Sequence, residues 1–156
     1  MLEMPRPRCR HFNRACLLVL LFPLLAFAVM PPWVYQRARE EATYHIQVRI
    51  LRMAGPDKTP GECSVVAEVV RIFRDKSAAL TTGTTLDFTV SCSKAGDRVP
   101  IGGTLWTDHD RLMQAKFLEV FLNSDGGRYQ VALWQSRIIE VPTEQPTFPP
   151  TTAGTP

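Results

Sequence analysis

Two stretches of the chain alternate apolar and polar residues. Cys63 opens the first and Cys92 closes the second. In the first (Cys63 to Phe73) the odd positions read Cys63, Val65, Ala67, Val69; in the second (Thr84 to Cys92) the even positions read Leu86, Phe88, Val90, Cys92. A period of two is the mark of a strand with one buried face. If the two runs form an antiparallel hairpin, the start of one lies beside the end of the other, and both cysteines point to the buried side. A disulfide there closes a separation of 29 residues. In the chain-entropy model such a link stabilises the fold by roughly 3–4 kcal/mol. Two free buried thiols remain the alternative. A metal pair lacks third and fourth ligands at suitable spacing.

Compartment decides between these, and the N-terminus speaks to compartment. The chain has 156 residues and a formal charge of +3, from 18 Lys+Arg and 15 Asp+Glu. That excess lies in the first 15 residues, where Arg6, Arg8, Arg10 and Arg14 face only Glu3. From Val29 onward the chain is formally neutral, with 14 residues of each sign. An apolar run, CLLVLLFPLLAFAVM, follows from Cys16 to Met30. A basic start, an apolar stretch and Ala26-Phe27-Ala28 predict a secretory signal peptide over 1–28. The alternative is an uncleaved membrane anchor over 16–35, with the basic end cytoplasmic. Both readings send the rest of the chain out of the cytoplasm, to the periplasm or the exterior. Cys63 and Cys92 then sit where disulfides persist.

Thr43 to Met53 alternates with Tyr44, Ile46, Val48 and Ile50 on one face and His45, Gln47 and Arg49 on the other. Residues 107–115 suit one or two helical turns, capped by Thr107 or Asp108. Lys116–Leu122 and Arg128–Trp134 are expected strands around Asn-Ser-Asp-Gly-Gly, whose glycines accept a hairpin turn. The last 15 residues hold five prolines and five threonines, so 142–156 is expected to be a disordered tail. Residues 36–141 are therefore expected to form a mainly β domain: a small five-stranded, OB-like antiparallel barrel with one short helix, preceded by a hydrophobic N-terminal helix.

The stretch from Cys63 to Cys92 resembles netrin modules, the tissue-metalloproteinase-inhibitor-like version of this barrel. The residues that carry the resemblance are Ala67-Glu68-Val69-Val70-Arg71-Ile72-Phe73-Arg74, then Leu80 and Gly83 leading to Leu86 and Phe88. Ile101-Gly102-Gly103 is similar to the glycine that follows in such modules. The resemblance implies the fold. It does not carry inhibition over, because those inhibitors act through a mature N-terminal cysteine that this chain lacks.

Asp108-His109-Asp110 is the densest titratable cluster. It reads either as a solvated helix cap or as a weak metal or proton-transfer site, with His45 as a further ligand if the fold brings it near. No nucleophile signature, Walker motif or dinucleotide motif is present, so no cofactor is expected. Basic residues in the exported part are interleaved with acids, and export removes nucleic acid as a partner. The expected function is an extracytoplasmic binding or interaction module for a protein or envelope component, without catalytic machinery. The alternative is a metal-dependent or acid/base enzyme using Asp108, His109 and Asp110. The binding loops, if any, are expected around 55–61, 94–103 and 123–127.

Overall fold

Period-two alternation makes strands, and strands make up most of the folded chain. A computed structural model describes residues 30–149. The expected leader and its cleavage site, the apolar run up to residue 29, and residues 150–156 lie outside the described residues. The elements are α1 (Pro32–Glu41), β1 (Tyr44–Ala54), β2 (Gly61–Asp75), β3 (Thr85–Ser93), β4 (Thr107–Asp108), α2 (His109–Gln114), β5 (Phe117–Asp125) and β6 (Arg128–Ile139). The sheet order is β4-β3-β2-β1-β5-β6. Neighbours are antiparallel, except for the short parallel pair of β3 with β4.

The sheet curls into a half-barrel. Its β3 and β6 sides approach each other across the core, and no ladder joins them among the described residues. Alternate residues fill the inside: Ile46 and Val48 from β1, Val65 and Val69 from β2, Leu86 and Phe88 from β3, Leu118 and Leu122 from β5. Leu112 of α2 is fully buried against them. Register shifts help the strands bend. Three interrupt the β1–β2 ladder and one falls between Val120 and Leu122 on β5. On β6, Leu133 and Trp134 take φ of 43° and 59°. Left-handed backbone at a non-glycine residue costs of order 1–3 kcal/mol. The β5–β6 hairpin turns as expected, on Gly126 and Gly127 with φ of 55° and 83°.

Three expectations change. The sheet has six strands and not five, because the loop after β3 returns alongside it and Thr107–Asp108 pairs with Cys92–Ser93. Asp108 then caps α2 by accepting from Arg111 N at 2.8 Å. A helix precedes the first strand: Pro32 stands in the first turn of α1, where no intrahelical N–H is needed. The folded part thus starts before residue 36, since Tyr35 Oη donates to Gly103 O at 2.7 Å. Finally, residues 142–149 of the expected tail are packed on the sheet, held by hydrogen bonds from Thr143 and Thr147.

Cys63 and Cys92 form a disulfide, with Cα atoms 6.0 Å apart and both residues fully buried. Cys63 pairs with Val90 and Cys92 with Gly61, so the cysteines are diagonal neighbours on the inner face. Replacing both by alanine (Cys63→Ala, Cys92→Ala) is expected to cost about 3–4 kcal/mol, read as a lower denaturant midpoint than the oxidised protein.

Candidate functional site

The outer face of β1 and β5 should be wet by the alternation rule. Instead it is covered. His45 and Gln47 of β1 stand opposite Phe121 and Glu119 of β5. All four are buried, Gln47 and Glu119 completely. The cover is the segment 142–149, a strap laid over the strands by its own hydrogen bonds. Gln47 Nε2 donates to Thr143 Oγ1 at 2.7 Å, and Thr143 N donates to Gln47 Oε1 at 2.8 Å.

Glu119 is the centre of this face. Its Oε1 accepts from His45 Nε2 at 2.8 Å. Its Oε2 accepts from Gln47 Nε2, Thr147 N and Thr147 Oγ1, each at 2.9 Å. Burial by itself pushes the carboxyl pKa up. The hydrogen bonds from His45, Thr147 and Gln47 outweigh it and hold the pKa at about 2, from an ordinary 4.5. Beside this network the His45 ring stacks on Phe121 with centroids 3.9 Å apart. Phe148 of the strap meets Phe121 edge-on at 5.0 Å.

These two phenylalanines carry three guanidinium groups. Arg39 of α1 lies 5.7 Å and Arg137 of β6 lies 4.4 Å from the Phe148 centroid. The two cations are therefore no more than about 10 Å apart across one ring. Arg74 of β2 lies 5.8 Å from the Phe121 centroid. Arg39 donates to Gln135 Oε1, Arg74 to Arg39 O, and Arg137 to Thr147 O. Among the described residues none of the three makes a salt bridge. Burial lowers the pKa of Arg39, and the charge of Arg137 lowers it further, with Glu40 opposing. Burial does the same to Arg74, again opposed by Glu40. Arg39 and Arg137 open into a cleft of about 420 Å³ between α1, β6 and the strap, lined among others by Tyr35, Leu105, Trp134 and Phe148, while Arg74 lines an adjoining cavity of about 150 Å³ with Arg39, His45 and Phe121. The strained turn of β6 at Leu133 and Trp134 sets the Trp134 ring in its wall.

The residues singled out from the sequence lie elsewhere or act otherwise. Asp108 is used as a helix cap. His109 Nδ1 is 2.8 Å from exposed Asp110 Oδ1. The His109 Nε2 atom lies against Gly55, 2.7 Å from where a Cβ would stand. His45 is ten residues from Gly55 along β1, roughly 30 Å at the rise of a strand. His45 and His109 therefore do not meet. Among the described residues no three His, Cys, Asp or Glu side chains gather as a metal site would need. Glu119 escaped sequence reasoning. Its one signal is an acid inside the otherwise apolar run Phe117–Leu122. No protein-family model matches the chain, and no curated protein is similar to it.

Glu119 sets a pH dependence whose sign follows from its lowered pKa. The stability it contributes is present above the unfolded value near 4.5 and is lost as pH falls toward about 2. The expected loss is on the order of 2–3 kcal/mol across that window. In Glu119→Gln this component disappears. Stability at pH 7 is then lower and the acid slope flatter, measurable by urea unfolding at a series of pH values.

Proposed function

We propose that this chain is an extracytoplasmic binding or interaction module, exported or tethered by its apolar N-terminal run, and that it works without catalytic machinery or cofactor. Its half-barrel is read as an OB-like barrel similar to netrin modules. The strand after the short helix returns to pair with β1, as the barrel's fourth strand should, which supports that reading. The disulfide suits an oxidising compartment.

One observation carries the choice of site. Arg39, Arg74 and Arg137 are gathered on two aromatic rings with no salt-bridged acid among the described residues. Like charges held together and partly desolvated repel, and an incoming anion relieves both costs. The ligand is therefore an acidic group of a protein or envelope component, presented to the cleft between α1 and β6. Tyr35 and Trp134 supply rigid amphipathic walls of the kind found in binding surfaces.

Poly-glutamate serves as the test ligand. Added to the full chain, it is expected to change the fluorescence of Trp134 saturably, with affinity falling as salt is raised. The double variant Arg39→Ala/Arg137→Ala is expected to weaken binding by about tenfold or more. Equal affinity in the variant would remove the cleft as the site.

A further inference from the structure

Among the described residues, four of the seven exposed large apolar side chains, Trp33, Val99, Ile101 and Leu105, lie near the contact between Met30 and Gly103. Met30 Cγ lies 2.7 Å from where a Gly103 Cβ would stand, and Tyr35 holds the same glycine through its carbonyl. Ile101 is 93% exposed, and Val99 and Leu105 of the same loop are also exposed. Trp33, 55% exposed, follows Met30 by three residues. Consecutive Cα atoms are 3.8 Å apart, so each of these four residues lies within about 15 Å of that contact along the chain. Arg37 covers the Trp33 ring at 5.2 Å, and Lys94 and Arg98 are exposed in the loop.

This is also where the apolar N-terminal run enters the domain. The uncharged run extends from Ala15 to Gln36, and from Pro32 on it is already helix α1 of the domain. Only Pro31 separates Met30 from α1, so no stalk holds the domain off the bilayer that the run enters. Whatever surrounds Met30 is drawn down with it. Trp and Arg side by side are the residues that settle at headgroup level, the ring at the boundary and the guanidinium reaching water.

We propose that the loop Val99–Leu105, together with Trp33, rests in the surface of the bilayer that holds the N-terminal run. The proposal rests on the tethered form of the reading above, with the apolar run uncleaved. The occupant of the apolar patch is lipid. The domain is thereby oriented, with the β3 end at Cys92 toward the membrane and the turn at Gly83 away from it.

The test uses the full chain in phosphatidylcholine vesicles, with Cys9→Ser and Cys16→Ser removing the other free thiols. A nitroxide is attached through Ile101→Cys or, as control, through Thr82→Cys. Thr82 is exposed at the far end of β3, a strand of nine residues. Intact mass is recorded on the same membranes. The expected result is a mass that starts at Met1, a label at 101 relaxed by oxygen dissolved in lipid more than by a water-soluble nickel chelate, and the reverse order at 82. A mass starting at Val29 overturns the tether and this inference together. A mass starting at Met1 with the same water-exposed pattern at both positions leaves the tether standing and overturns the lipid contact alone. Because Ile101 is nearly all in solvent, its replacement does not disturb the core.

Discussion

A carboxylate buried on the outer face of a sheet costs several kcal/mol unless its oxygens are fully used. Glu119 uses both, through His45, Gln47 and Thr147. All four of those donations run across 28 or more residues of chain, and two of them come from the strap. The charge thus ties residues 143–147 to β1 and β5. With the strap in place, Phe148 reaches Phe121, and the outer face becomes a second small core with Ala42 and Ala132. The arginines are arranged on that aromatic pair, and Phe148, the strap's wall of the cleft, is placed next to the Thr147 that Glu119 holds.

The half-barrel therefore has two differently built faces. Inside, aliphatic side chains from β1, β2, β3 and β5 pack with the disulfide at the edge of the hydrophobic cluster. Outside, polar and aromatic groups are buried together, and geometry matters more than area. Hydrogen bonds and ring contacts are directional, whereas aliphatic burial is not. This difference explains why the strained backbone at Leu133 and Trp134 falls on β6, the strand that borders the cleft.

Helix α1 joins the two proposed surfaces. Tyr35 and Arg39, one turn apart, look into the cleft, while Trp33 and Arg37, also one turn apart, pair on a neighbouring stripe. A bilayer at the start of α1 and an acidic partner along its side can be engaged at once. In the proposed tethered form the direction in which the arginine cleft is presented is fixed, which raises the effective concentration of a partner held in the same envelope.

The strands were legible because alternation is local. Tyr44–Ala54, Thr85–Ser93 and Phe117–Asp125 each fall within a few residues of the expected span, and the parity of Cys63 and Cys92 placed both sulfurs inside. The helix at Pro32 directly follows the apolar N-terminal run and has no alternation to announce it. Parity also assigned His45 and Gln47 to an outer face, correctly, but it reports only which side a residue takes. Whether that side is wet depends on what the rest of the chain lays over it. Here the cover comes from Thr143, 96 residues beyond Gln47, in a segment whose prolines and threonines read as tail. By itself the sequence determined the mainly β class, the inward cysteines and the concentration of charge at the N-terminus, since each is written in neighbouring residues. The tertiary structure alone decided the buried carboxylate, the strap and the arginine cleft, because these arise from side chains that become neighbours only after the sheet has curled.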